Sequence, residues 1–423
     1  MAHAADIHLG KNFMKFEGEE RNRDIELAFR QMMDLLVQEH VDLLAISGDL
    51  FERPRPNNYT LALFKEAVLE FLQKGGKILL VNGEHDTSTE RDLTATDLVS
   101  RYLDGVYHLR HFYSKSEMLS IEKEGMRLNF YGLGAIRGPR AIENGKNIMR
   151  FIEKTALEEN GKNIMISHIS TKDYFPLADG YELASFPDGI SYYALGHLHF
   201  RIIDNLKRGI VAYPGSLEIL SLKEIEEWKK KGKGFYIVDL SSDEAIVHQV
   251  DLDIRPQEIF EISSAREIGE LQGKIDRYLS TLVSDRSPII NILLEGDEVE
   301  ILRKEIQSRL NALRSRNVLI SITSRPSESD RLFEKVEGVR GAGGSNELKI
   351  MSKIVADEQI AKLIIDLKNC LSEEEKDCRE IAEAITERRD YWNKAIEKWP
   401  GIGDAINKEW PHGSEQGLMK FKR

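Results

Sequence analysis

Cysteine is almost missing: 423 residues hold two, Cys370 and Cys378, both in the charged C-terminal third. That excludes a disulfide framework and a cysteine-built zinc site, and it fits a reducing compartment. Long hydrophobic runs are lacking too, since no stretch approaches the roughly 20 apolar residues of a membrane helix. The opening MAHAADIHLG lacks the charged, apolar and small-residue order of a signal peptide. Nor is there an excess of positive charge. The formal net charge of -12 excludes a globally basic nucleic-acid binder, while leaving room for local arginines and bound cations to attract phosphate. A soluble, cytoplasmic protein without membrane contact is expected.

What is present supports two or three globular domains, given the length and a 41% hydrophobic content. The runs VDLLAISGD (41–49) and GKILLVNGEHD (76–86) have the continuous apolar character of buried strands. Ile25, Ala28, Phe29, Met32 and Leu36 recur at helical spacing before the first, and Tyr59 to Leu72 forms a second periodic segment between them. Alternating strands and helices imply right-handed crossovers and a sheet with helices on its faces. KNIMISHIS, SYYALGHLH, GIVAYPGS and KGFYIVDL continue the sheet with fewer helices, so mixed pairing is expected. ENGKNIM occurs twice, at 143–149 and 159–165; two copies at this spacing match no solenoid period, and the second opens a strand.

The domain reading is 1–252 for the main domain, 253–325 for a small βαβαβ domain, 326–347 for a Gly- and Ser-rich linker, 348–400 for a helical segment and 401–423 for a tail. In the small domain, strands are expected at EIFEIS, PIINILLEG and VLISITS, with helices near Glu267 to Leu282 and Glu298 to Leu313. Ser372 and Glu375 start a capping box in the helical segment, whose apolar stripe includes Ile381, Ile385, Trp392 and Trp399. A tethered amphipathic segment has no core of its own, which points to a partner surface, with docking back on its own domain as the alternative.

Histidine is sparse, eleven in all, yet five sit at the ends of expected strands: ADIHLG (Asp6, His8), SGDLF (Asp49), GEHD (Glu84, His85, Asp86), ISHIS (His168) and GHLH (His197, His199). Residues two apart in extended chain point the same way, so Asp6 with His8, and His197 with His199, form two-pronged claws. Alone, each histidine suits a hydrogen-bonded core residue and each Asp a turn. Together they converge on the carboxyl edge of a sheet, where α/β folds place their sites. Mixed imidazole and carboxylate donors suit manganese, iron or zinc better than calcium.

Taken in order, these motifs resemble the calcineurin-like metallophosphoesterases over roughly the first 220 residues. HAADIHLG, SGDLFERPRP, YYALGHLH and YPGSLE are more narrowly similar to the SbcD-type and meiotic-recombination-eleven DNA repair nucleases. The resemblance implies an α/β fold: a two-sheet sandwich flanked by helices, with a small α/β capping domain and a C-terminal helical segment that grips an SMC-like ABC ATPase. It implies two manganese ions, with iron, zinc or magnesium as alternatives: Asp6, His8, Asp49 and His199 around one, and Asp49, Glu84, His168 and His197 around the other. Such a pair clamps the attacking and leaving oxygens of a phosphodiester. By the same resemblance His85 protonates the leaving oxygen or stabilises the transition state, Asp86 orients its ring, and two chains dimerise through helices such as the one carrying Leu61, Phe64, Val68 and Leu72, though core burial explains the same stripe.

Two positions depart from the family pattern. Glu84 stands where a neutral Asn is usual, and Glu52 where relatives often carry His. Two divalent ions set against Asp6, Asp49 and a bridging hydroxide leave a net of about one positive charge, which Glu84 takes to about zero. Glu84 is therefore expected to ligate, holding its ion more tightly while attracting phosphate less; the alternative is that it swings aside and water fills the gap. Lys11, Arg53, Arg55, Arg137 and Arg140 are the candidate DNA contacts. The leading reading is a metal-dependent DNA nuclease, exonuclease on ends and endonuclease on single strands. A phosphatase or phosphodiesterase of the same superfamily, and a non-catalytic DNA and ATPase adaptor weakened by Glu84, are the alternatives.

Overall fold

The structure is a computed structural model that describes residues 1–13, 20–88, 93–112, 114–123, 125–138, 140–176, 180–295, 299, 301–306, 318–324, 362 and 365. Chain contacts divide it into two compact units, Met1–Arg325 and Pro326–Arg423, of which the first contains nearly every described residue. Cys370, Cys378, Ile381, Ile385, Trp392 and Trp399 lie outside the described residues.

The first half of the main domain runs β1 (Ala2–Ala4), α1 (Glu20–Gln38), β2 (Leu43–Ser47), α2 (Asn58–Gln73), β3 (Lys77–Val81), α3 (Ala95–Tyr102), β4 (Val106–His108) and a two-residue pair, β5 (His111–Phe112) with β6 (Lys115–Ser116). The second half runs β7 (Met118–Lys123), β8 (Met126–Leu133), α4 (Ala141–Glu158), β9 (Lys162–His168), β10 (Tyr192–Gly196), β11 (Ile202–Leu206), β12 (Gly209–Tyr213), α5 (Ile225–Lys231), β13 (Gly234–Asp239) and β14 (Ile246–Asp251). Two six-stranded sheets result, ordered β14-β13-β1-β2-β3-β4 and β11-β12-β10-β9-β8-β7. Both are mixed: β1, β2, β3 and β4 are parallel neighbours while β13 and β14 join antiparallel, and β8, β9, β10 and β12 are parallel while β7 and β11 are antiparallel edges. KNIMISH, YYALG and GIVAY thus build a second sheet instead of extending the first, and only GFYIVD returns to it.

Three apolar layers hold the sandwich. Phe29, Met32, Phe64 and Val68 of α1 and α2 pack on Leu44, Ile46 and Ile78 of the first sheet. Between the sheets, Ala45, Leu79 and Val81 meet Phe130, Ile164, Ile166 and Ala194. Behind the second sheet, Ile148, Met149 and Ile152 of α4 cover Tyr131, Met165 and Tyr193. β2, β3, β9 and β10 are apolar on both faces because both faces are covered. The stripe read as a dimer face in α2 points inward: Phe64 and Val68 are fully buried, and Leu61 and Leu72 pack partly against the same core.

β15 (Gln257–Ile262), α6 (Ala265–Thr281), β16 (Ile289–Leu294) and β17 (Leu319–Ser324) form a separate three-stranded parallel sheet, with residues 301–306 helical. One face, Ile262, Ile290, Ile292 and Leu294, packs on Ile268, Leu271 and Ile275 of α6. Ser264 and Glu267 start α6 with a reciprocal capping box. A buried charge network ties this sheet to α1: Arg255 grips Asp24 at 2.7 and 2.9 Å and donates to the Ser287 carbonyl at 2.7 Å.

Candidate metal centre

The parallel strands deliver the site residues. Asp6 and His8 follow β1, Asp49 follows β2, Glu84 follows β3, His168 ends β9, and His197 and His199 follow β10. Four of these hold a positive φ that L-residues seldom adopt: Asp6 at 51°, His8 at 53°, Asp49 at 48° and His197 at 96°. Backbone strain concentrated this way marks residues whose placement is over-determined by their surroundings. Glycines permit the close approach of the two sheets here. A Cβ on Gly48 (φ +82°) would lie 2.3 Å from the His168 ring, and one on Gly83 would lie 2.0 Å from the Asp49 carboxylate.

All seven expected ligands converge. Ligand atoms of Asp6, His8 and His199, of Glu84, His168 and His197, and of Asp6, Asp49 and His168 each lie within 4.8 Å of one another. Asp49 Oδ2 stands 3.6 Å from His8 Nε2 and 3.5 Å from His168 Nε2, which places it between the two groups. His199 Nε2 is 3.7 Å from Asp6 Oδ1. Asp6 also accepts from the His197 amide at 3.0 Å, and Asp49 from the His85 amide at 2.8 Å, so the backbone aims both carboxylates.

The donor set fits bound cations. His8 Nε2 is a buried ring nitrogen with no hydrogen-bond partner among the described residues, and the buried His168 Nε2 meets only carboxylate oxygens, those of Asp49 and Glu84. Such orphans are costly unless something accepts their lone pair. Their other nitrogens are already engaged: His8 Nδ1 with Glu52 Oε2 at 2.8 Å and His168 Nδ1 with the Ser47 carbonyl at 2.8 Å. An outer hydrogen bond of this kind fixes the tautomer and turns the remaining nitrogen toward a metal.

Glu84 points into the site and does not swing away. Its Oε2 lies 2.6 Å from His168 Nε2 and 3.2 Å from His197 Nδ1. Burial alone raises its pKa, but the charges and hydrogen bonds of His168 and His197 outweigh that and hold the carboxyl well below its usual range. His168 responds in the opposite sense: burial opposes its charge, yet Asp49 and Glu84 raise it well above an ordinary histidine.

His85 and Asp86 are placed differently from each other. The half-exposed His85 ring stacks edge-on at 4.7 Å from His8, and its Nδ1 meets the Glu52 carbonyl at 3.0 Å. Asp86 is buried and accepts from the Leu50, Phe51 and Gly83 amides at 3.1, 2.9 and 3.0 Å. The orienting contact expected from Asp86 to His85 is therefore replaced by Glu52, while Asp86 pins the loops that carry Asp49 and Glu84. Burial, and then the Asp49 charge, push the Asp86 carboxyl up to about 6.

The sequence reading missed an outer ring of polar residues. Glu52 holds His8 and is balanced by Lys11 Nζ at 2.9 Å. Burial raises the Glu52 pKa, but His8 and Lys11 bring it down to about 2. Behind His199, Glu224 accepts from Nδ1 at 3.2 Å, from Ser221 at 3.0 Å and from the buried Lys233 at 2.6 Å. Desolvation lowers the Lys233 pKa, partly offset by Glu224. Ser221 and Glu224 stand in an S-x-x-E spacing that reads as a cap.

Among the expected DNA contacts, Lys11 is committed to Glu52. Arg53 and Arg55 are exposed on the turn after Glu52. Arg137 donates to the Glu84 carbonyl and lines, with Glu52, Glu84 and His85, a recess of about 320 Å³. Arg140 borders a different recess on α4 with Lys146 and Arg150.

The model of the calcineurin-like phosphoesterase family matches residues 1–201, a span that contains every one of these seven candidate ligands. Residues 1–201 belong to that family. Curated relatives of this phosphoesterase include the DNA double-strand break repair protein Mre11 of Saccharolobus solfataricus, 28% identical over 72% of this chain and 77% of the relative. The protein of the same name from Sulfolobus acidocaldarius is 25% identical over 90% of this chain and 97% of the relative. That of Aeropyrum pernix is 25% identical over 93% of this chain and 98% of the relative. Among the described residues of this phosphoesterase, no helix is long and apolar enough to cross a membrane.

Proposed function

We propose that the chain is a metal-dependent DNA nuclease of double-strand break repair, cutting ends as an exonuclease and single strands as an endonuclease. The observation that carries this is the paired cluster: seven ligand-type side chains from five strand ends, with the buried Nε2 of His8 lacking a hydrogen-bond partner among the described residues and the buried Nε2 of His168 facing only carboxylates. The relatives' printed name supports DNA as the substrate.

Asp6, His8, Asp49 and His199 would hold one divalent cation, and Asp49, Glu84, His168 and His197 the other; the mixed donors favour manganese, with iron, zinc or magnesium also accommodated. When bound, such a pair neutralises phosphate charge and acidifies the attacking water. The chain's own residues supply the rest. His85 stands at the mouth of the recess with its Nδ1–H held by the Glu52 carbonyl, so that in its imidazolium form the ring can give the Nε2 proton to the departing oxygen and be left neutral with the proton on Nδ1. Arg137 sets a positive charge against Glu84 where the phosphate enters, and Arg53, Arg55, Arg140 and Lys11 are the further backbone contacts in this reading. Asp86 acts by holding the Asp49 and Glu84 loops in register.

The domain plan assigns 1–252 to the nuclease, 253–325 to the capping domain, 326–347 to a linker, 348–400 to docking on an SMC-like ABC ATPase and 401–423 to a tail. A homodimer would use the outward sides of α1 and α2, where Leu27, Tyr59 and Leu69 are exposed. The working compartment is the cytoplasm. The test is cleavage of labelled DNA by the full chain with manganese, set against EDTA and against His168→Ala. Cutting that needs both metal and His168 supports the reading; intact DNA under every metal, alongside hydrolysis of a nitrophenyl monoester, replaces it with a phosphatase.

A further inference from the structure

A second cleft lies between the main domain and the small three-stranded sheet. Its volume is about 380 Å³, and its walls include Phe13, Arg21, Gln257, Asn291, Ser321 and Thr323. Its other wall, Ile219 to Leu222, leads directly into Glu224, which holds His199, just as Asn12 and Phe13 follow Lys11, which holds Glu52. The cleft is thus built from continuations of the segments that position two site histidines.

Its chemistry is unusual for a sheet face. β15, β16 and β17 turn Ile262, Ile290 and Ile292 toward α6, whereas the opposite face sets Gln257, Asn291, Ser321 and Thr323 along the cleft. Gln257, Asn291 and Ser321 are only 4%, 2% and 4% exposed; Asn291 Nδ2 donates to Gln257 Oε1 at 3.4 Å, and Gln257 Nε2 has no partner among the described residues. A buried amide group left unpaired is costly, so the Gln257 Nε2 donor and the long Asn291–Gln257 bond beside it suit something that donates and accepts hydrogen bonds. Charge says what that is not. Arg21, the one charged group among the described lining residues, is already paired with Asp24 at 2.9 Å and Glu218 at 3.2 Å. Among the described residues a phosphate would find no free cation there. Phe13, backed by the Arg21 guanidinium at 4.2 Å from its ring centre, offers an aromatic wall, and Leu220 and Leu222 add apolar contact. A flat, neutral ligand with donors and acceptors around its edge matches this lining.

We propose that this cleft receives an unpaired nucleobase of the substrate strand, its edge on Gln257 and Asn291 and its ring against Phe13. The assignment rests on the nuclease reading and names what it selects: a strand able to turn a base out of the stack, which single strands and frayed ends do at little cost.

The experiment is fluorescence anisotropy of the full chain in EDTA with two labelled oligonucleotides of equal length, one single-stranded DNA with bases and one carrying consecutive abasic positions. Base contacts of this kind make the intact strand bind about tenfold tighter or more. Asn291→Ala, and separately the less buried Phe13→Ala, should remove about fivefold to tenfold of that preference while leaving abasic binding unchanged. Thermal melting identifies any variant that fails to fold, and either folded variant suffices. Equal binding of the two strands by the unaltered protein, or a base preference untouched in both folded variants, overturns the proposal and leaves a water-filled cleft. Because the readout is metal-free, it stays separate from the nuclease reading, whose own failure would show as uncut DNA with manganese.

Discussion

Glu84 is the residue where electrostatics and geometry meet. Its carboxylate lies within hydrogen-bond reach of both His168 and His197, so it adds a full negative charge at the position of an expected neutral ligand. Glu84→Asn is expected to weaken manganese binding and to raise the DNA cleavage rate at saturating metal, and calorimetry with single-turnover kinetics checks both. No change in either means that this charge is screened. Glu224 acts one step further out, and Glu224→Ala should cost about tenfold to a hundredfold in metal affinity by freeing the His199 ring. Gly48→Ala places a methyl group on the His168 ring and forces a positive φ on an L-residue; a loss of about 1–3 kcal/mol in urea unfolding is expected. The converging side chains were legible in the sequence because each sits in a short motif at a strand end. Glu224, Lys233 and the Glu52 contact to His8 were not, because their partners are brought together by the fold: Lys233 meets Glu224 across the α5 turn, and Glu52 meets His8 across 44 residues. Asp86 shows the converse, a recognisable motif residue whose carboxylate serves the backbone.

Elements were read best where burial is complete. β2, β3, β9 and β10 were visible as apolar runs, and α1 and α2 as periodic stripes. The β7–β8 hairpin and β14 were not, since β7 and β14 are edge strands with mostly exposed side chains and carry little apolar signal. ENGKNIM makes the limit explicit. Its first copy lies within α4 and its second leads into β9, so identical residues adopt two structures because their neighbours bury different faces. Where local chemistry does decide, it is at helix starts: Asn57 accepts from the Thr60 amide at 2.8 Å at the start of α2. Asn57→Ala should therefore cost about 1 kcal/mol, measured as a lowered urea midpoint with an unchanged slope.

At the scale of the molecule, two sheets are joined where their strand ends make the metal centre, and the small sheet is joined to α1 through buried charge. Asp24 accepts from Arg255 and Arg21 with no exposure to water. Removing one partner of such a network strands the others, so Asp24→Ala should cost about 3–5 kcal/mol, with faster proteolysis near residue 255 as the second readout. The α/β class and the mixed pairing followed from the order of runs; the division into two sheets rested on family resemblance, since periodicity does not say which strands are neighbours. Cations at the centre would tie both sheets together, and manganese at a hundred times its dissociation constant should stabilise the fold by about 2.7 kcal/mol over the EDTA-treated protein. The most direct measurement is anomalous diffraction from crystals of the full chain grown in manganese. Two peaks, one beside Asp6, His8 and His199, the other beside Glu84, His168 and His197, with Asp49 between them, are the predicted result; featureless density at both positions, with these side chains bonded only to one another, would contradict it.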